Sequence, residues 1–244
     1  MKTLKSTLLL TLLFSVLFIA QGCMFNDVNS IKGEGSIIVK EHEIGNFNTI
    51  ELGGAFEVML KEGAETKLTI ETDENLHQYI NIETKNNELH VYSDRDKALR
   101  PSKLKVHITY TDLKKLSIGG ACSLNSETTI YSDTFEFNIS GAGSGKLDIE
   151  TEKLTTDVSG AASITLTGIA ASHNVSLSGA SNLKAENLHT KNTVIRLSGA
   201  GAAKVFASEV IDANLSGVGS IKYGGNPEIK KTNVSGIGRI SSID

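Results

Sequence analysis

The chain has 244 residues with 24 basic and 28 acidic side chains, a formal charge of −4, and its 23 glycines, 2 prolines and lack of tryptophan suit a β-rich protein with many corners better than a helical bundle. The acid excess argues against nucleic acid as a partner, because phosphate binding draws on a basic surface. With only Cys23 and Cys122 to pair, stability has to come from packing and backbone ladders rather than from a disulfide framework.

Residues 1–22 read as a signal peptide. Lys2 and Lys5 precede an apolar run from Leu8 to Ala20 that is interrupted only by Thr11 and Ser15, and thirteen residues are too few for a comfortable membrane span. Ala20-Gln21-Gly22-Cys23 resembles a bacterial lipobox, with Ala20 where that pattern prefers Leu and Gln21 where it prefers a small residue. Cys23 is therefore the expected lipidation site, and the membrane the expected partner of the N-terminus; each buried CH₂ of an acyl chain contributes about 0.8 kcal/mol to such anchoring. Cleavage at this point removes two lysines and no acid, so the mature chain carries a charge of −6. Residues 23–35, polar and punctuated by Gly33 and Gly35, are expected to be the anchor cysteine and a tether.

From Ser36 onward, short segments with period-two alternation follow one another: 37–39, 47–52, 56–60, 67–71, 80–83, 88–92 and 103–110. Gly63, Asn86-Asn87 and Ser93–Asp96 separate them as turns. A single helical turn is expected at 73–79, capped by Thr72 or Asp73. Ile50-Glu-Leu52-Gly53-Gly54-Ala55 and Leu116-Ser-Ile118-Gly119-Gly120-Ala121 are near copies 66 residues apart. Residues 36–118 are read as a less regular β portion that leads into, and caps, a regular repeat over 119–244 within a single domain, 36–244.

That repeat is marked by six Ser-Gly steps, at Ser140-Gly141, Ser159-Gly160, Ser178-Gly179, Ser198-Gly199, Ser216-Gly217 and Ser235-Gly236, at intervals of 19, 19, 20, 18 and 19 residues. An apolar or threonine pair precedes each step at constant offsets, as in Val175/Leu177 and Ile195/Leu197. A constant period with constant chemistry signals a solenoid, and 19 extended residues trace about 60 Å, one circuit of a small prism. The expected fold is thus all-β, a single-stranded β-helix or solenoid of about 19-residue coils. Gly141, Gly160, Gly179, Gly199, Gly217 and Gly236 are assigned to its repeated corners, where positive φ would favour glycine. The adjoining serines are expected to share hydroxyl hydrogen bonds from coil to coil. Few residues follow Gly236, so the last circuit is incomplete, and a second copy of the chain is a natural cover for its edge.

No catalytic constellation stands out. Gly141-Ala-Gly-Ser-Gly-Lys146 mimics a phosphate loop, but Ser140 stands where the first glycine belongs, Leu147 follows the lysine, and no helix pattern comes after. The six histidines, His42, His77, His90, His107, His173 and His189, show no paired metal spacing, with His90 and His107 expected to face outward, so neither metal nor cofactor is expected. Cys122 reads as a small buried filler. Asp148, Asp157 and Asp212 raise the alternative of a carbohydrate-active enzyme on a β-helix scaffold, which needs a carboxylate pair.

The Phe47-x-x-Ile50-x-Leu52-x-Gly54 opening, the Val58-x-Leu60-x-x-Gly63 strand and the Ser-Gly ladder together resemble the family of putative auto-transporter adhesins with a head GIN domain, over about residues 37–240. The resemblance implies a right-handed β-solenoid, export, often as a lipoprotein, from Bacteroidota and related bacteria, and no catalytic residues. The expectation is a non-enzymatic, outer-membrane-associated lipoprotein, periplasmic or surface-exposed, whose long side binds protein or glycan in an adhesin-like role.

Overall fold

The computed structural model describes residues 30–243, and the described residues from Ile31 onward make up one compact unit. The signal peptide and Cys23 lie outside the described residues. The unit is a β-solenoid of about seven turns built from stacked coils of about 19 residues.

The two alternating positions before each Ser-Gly step become two inward columns. One runs Leu52, Ile118, Ile139, Val158, Leu177, Leu197, Leu215, each directly over the last in parallel register. The other runs Ile50, Leu116, Phe137, Thr156, Val175, Ile195, Ala213. All of these side chains are buried, so each coil hands its apolar face to the next and none could bury it alone. Cys122 joins this core as a filler; it is 2 % exposed, its Sγ lies 3.6 Å from the Gly54 carbonyl oxygen, and burial pushes its thiol pKa up.

The near copies at 50–55 and 116–121 are adjacent rungs. Ile50 pairs with Leu116 and Leu52 with Ile118, and Ala121 N donates to the Gly54 carbonyl at 2.6 Å. The parallel stack therefore begins at Thr49–Gly53 rather than at residue 119. The intervening residues fold to its far side, where Glu88–Ser93 pairs in parallel with Thr49–Gly53 and Leu104–Tyr110 with Glu57–Glu62. Antiparallel strands close that end. Ile37–His42 pairs with Lys67–Asp73, which pairs with Leu104–Tyr110, and Ile80–Lys85 forms a hairpin with Glu88–Ser93. The hairpin turns on Asn86 and Asn87, both at positive φ (52° and 62°), the combination that matches strand twist.

Two local expectations change. The turn of helix at Glu74–Tyr79 is 3₁₀, with Asp73 at its N-cap position, but the Asp73 carboxylate accepts from Ser102 N at 2.8 Å instead of capping. The end of the expected tether is also engaged: Ile31 and Lys32 belong to a short strand, Gly33 N donates to the Arg100 carbonyl and Glu34 N to Asn75 Oδ1.

Candidate functional site

The six step glycines stand in one column that extends back to Gly120 and Gly54. A Cβ on Gly160 would fall inside the carbonyl of Gly141, one on Gly179 inside that of Gly160, and likewise Gly141 on Gly120, Gly199 on Gly179, Gly217 on Gly199 and Gly236 on Gly217. The reason differs from the expected one. Positive φ occurs at Gly35, Gly168, Gly219 and Gly225, and at none of the six; what excludes a side chain is the close approach of successive backbones. Nor do the step serines bond to one another: Ser178 Oγ donates to the Val158 carbonyl at 3.2 Å and Ser140 Oγ to that of Ile118 at 3.4 Å. This column is scaffold.

The three candidate carboxylates fall in three different columns. Asp148 sits over Thr167, Asp157 over Ser176, and Asp212 over Val194. Asp148 is held between coils, accepting from Thr129 Oγ1 at 2.6 Å and Thr167 Oγ1 at 2.7 Å, while Asp212 accepts from Asn214 Nδ2 at 2.8 Å. The structure brings none of them together as an acid–base pair.

The feature with binding character is a trough of about 870 Å³ running along the shaft, on the stretch of each coil midway between successive Ser-Gly steps. Its floor is a column of small residues, Ser132, Thr151, Ala170 and Thr190. One wall is formed by Tyr131, Glu150, Ile169 and His189 on successive coils, and the other carries Asp133, Glu152 and Lys191. At about 4.8 Å per coil, the four-coil wall is about 14 Å long. Tyr131 and Ile169 are 55 % and 58 % exposed, a large outlay of apolar surface to leave in water.

The far end of that wall is pinned from inside. Buried Thr193 donates to the Phe206 carbonyl at 2.8 Å, buried Thr190 also donates to it, and the two hydroxyls lie 2.7 Å apart. With its backbone fixed, Phe206 presents its ring to His189 edge-to-face, centroids 4.7 Å apart and planes at 77°. The trough also holds four carboxylates, Asp112, Asp133, Glu150 and Glu152, against the ammonium groups of Lys114 and Lys191. An acidic ligand is disfavoured there, and a neutral one rich in hydroxyl donors is matched.

Sequence reasoning passed over these residues, although a signal exists: Tyr131, Glu150, Ile169 and His189 each lie nine positions before a step serine. An outward offset otherwise suited to any polar residue carries two large apolar groups and an imidazole.

The profile of the family described as "Putative auto-transporter adhesin, head GIN domain" matches residues 46–227. The chain belongs to this family. The matched span of the head GIN domain contains the whole trough and the glycine column through Gly217. Among solved structures, a putative adhesin from Bacteroides fragilis is 28 % identical, with 87 % of this chain and 100 % of that one covered and a TM-score of 0.85. A putative lipid binding protein from Parabacteroides distasonis shares the fold at 23 % identity, covering 88 % of this chain and 100 % of its own, TM-score 0.72. A putative adhesin from Parabacteroides merdae does so at 20 % identity, 89 % and 100 % coverage, TM-score 0.66. The curated proteins include no significant match to the chain.

Proposed function

We propose that this head GIN protein is a non-enzymatic, adhesin-like component of the bacterial cell envelope that binds a neutral glycan in the trough, and that Cys23 carries the lipid that holds it to the membrane. The observation that supports the ligand class is the pairing of walls: Tyr131, Ile169 and the Phe206–His189 pair offer apolar faces to the C–H side of sugar rings, while Asp133, Glu150 and Glu152 accept from sugar hydroxyls. Membership of a family described as putative auto-transporter adhesins and the likeness to a putative adhesin from Bacteroides fragilis support the non-enzymatic role.

Titration of the full chain with neutral cell-wall and host oligosaccharides, read by calorimetry, tests the reading. Binding is expected for one neutral glycan class and is weakened at least tenfold in Tyr131→Ala and in Ile169→Ser, with melting temperature unchanged because both side chains are exposed. Absence of glycan binding, or binding untouched in the double variant, overturns it. Mass spectrometry of the mature N-terminus decides the anchor: a diacylated or triacylated Cys23 is expected, and an unmodified terminus refutes it.

A further inference from the structure

Outside the trough, three donors converge on the outer face near the closed end. Glu51 lies on Thr49–Gly53 directly beside His90 on Glu88–Ser93, and Glu88, two residues before His90, projects from the same face. His90 Nδ1 is 3.1 Å from Glu51 Oε2 and His90 Nε2 is 3.4 Å from Glu88 Oε2. One ligand atom from each of the three residues lies within 4.8 Å of the other two. From these positions we infer that Glu51, Glu88 and His90 form a binding site for a divalent transition-metal ion, with Zn²⁺ the best match.

The donor set decides the ion. One imidazole and two carboxylates suit Zn²⁺, whereas Ca²⁺ and Mg²⁺ seek oxygen donors throughout. Three protein ligands leave at least one position open. Glu51 and His90 also line a cavity of about 510 Å³, so a donor atom entering that cavity can complete the coordination. Glu83 stands opposite His90 in the antiparallel ladder, a third carboxylate on this face, and Asp94 adds a fourth in the cavity, while Lys85 opposite Glu88 and Arg95 and Lys97 in the cavity lining are the cationic groups with which the ion competes. The rigidity comes from the ladder itself, since the three residues sit in strands paired in register rather than on a loop. The sequence spacing hides the site because Glu51 and Glu88 are joined only through strand pairing.

The test is calorimetric titration of the untagged full chain with ZnCl₂, after treatment with chelator and its removal, with CaCl₂ as comparison. One Zn²⁺ per chain is expected, bound at least tenfold more tightly than Ca²⁺, with affinity lowered at least tenfold in Glu51→Gln, Glu88→Gln and His90→Gln. Each variant is compared with the parent for its melting temperature in chelator; if one fails to fold, the remaining two decide. No binding up to millimolar Zn²⁺ overturns the inference, and so does Zn²⁺ binding that survives in the folded variants, which would assign the ion to other histidines. Failure here leaves glycan binding in the trough untouched, because the two sites share no residue.

Discussion

The His173 ring lies inside the solenoid one coil beyond Thr156, with its Nε2 3.0 Å from the threonine Oγ1, and the two side chains are 1 % and 0 % exposed. It occupies a column that holds Leu154 on one side and Thr193 on the other, so an ionisable ring stands where the neighbouring coils place neutral groups. Burial favours the neutral imidazole and pushes its pKa down to about 3.

An acid-sensitive stability follows. Below pH 6.5 the unfolded chain protonates this histidine, while the folded chain resists until about pH 3, so the unfolded state binds more protons across that window. The contribution of neutral His173 is fully present above pH 6.5 and is lost as pH falls toward 3, by roughly 1.4 kcal/mol per pH unit. His42 and His77, whose pKa values burial also lowers, act in the same direction. Urea unfolding at pH 7.0 and 4.5 should show the parent losing about 2–3 kcal/mol through His173 over that interval. The double variant His173→Leu/Thr156→Val, which leaves no orphaned hydroxyl, should lose that much less; equal losses in the two proteins would show that His173 is not buried as described.

The glycine column gives a test that separates crowding from backbone conformation. Asparagine tolerates positive φ but still carries a Cβ. At Gly35, with φ of 88° and its nearest neighbour 3.4 Å from an added Cβ, Gly35→Asn meets backbone strain without a backbone clash and should cost no more than about 1 kcal/mol. At Gly179, where an added Cβ meets the Gly160 carbonyl, Gly179→Asn should cost about 1–3 kcal/mol, as overpacking does. Gly199→Val should be at least as damaging, for the same reason. Thermal melts of the three variants check the ordering, and a harmless Gly179→Asn would mean that the coils are spaced more widely there.

Much of this architecture was legible in the sequence, because a solenoid repeats its physics with its residues. The offsets of Val158, Leu177 and Leu197 before their steps fixed both register and inward face. What was not legible depends on contacts between distant segments. The 65 residues between Ile50 and Leu116 look like a less regular β portion, yet the two positions are direct neighbours, since the chain leaves the stack, caps it and returns to the other face of its first rung. The same detour brings Glu51 to His90. In the trough, Tyr131 and Ile169 lie 38 positions apart in sequence and become one wall only when the coils are superposed. The glycine column was visible, but its cause was not, because a one-dimensional pattern does not distinguish a bend from a close approach.

The last rung bears on self-association. Lys230 stands in the column of Ile211 and Thr193, and Thr232 in that of Ala213 and Ile195, so polar groups occupy positions that are buried in the two coils directly beneath. Val234, in the column of Leu215, is 44 % exposed. Lys230 is exposed there, its Nζ donating to Asn226 Oδ1 at 3.3 Å, and a charge on an open edge discourages pairing with another edge. Lys230→Leu should therefore shift the chain toward dimers or larger species relative to the parent at equal concentration. Sedimentation velocity checks this, and an unchanged distribution would mean that Lys230 does not guard the edge.

Asp148 offers the sharpest choice between scaffold and chemistry. Its carboxylate accepts a hydroxyl hydrogen bond from the coil before, Thr129 at 2.6 Å, and another from the coil after, Thr167 at 2.7 Å, while its backbone N–H donates to Ser126 Oγ at 2.9 Å. Hydrogen bonds to a charged acceptor contribute about 1.5–3 kcal/mol each, and an asparagine offers one acceptor oxygen where aspartate offers two. Asp148→Asn is therefore expected to lower stability by about 1–3 kcal/mol, since the amide keeps one of the two threonine bonds through its remaining oxygen. If Asp148 were instead a catalytic acid, the same variant would abolish turnover of some polysaccharide, and its engagement by two threonines would be expected to hinder that role. Measuring unfolding and polysaccharide release on the same preparation separates the two: a stability loss without any parent turnover supports the interlocking role, and a turnover that vanishes in a variant as stable as the parent revives the enzyme.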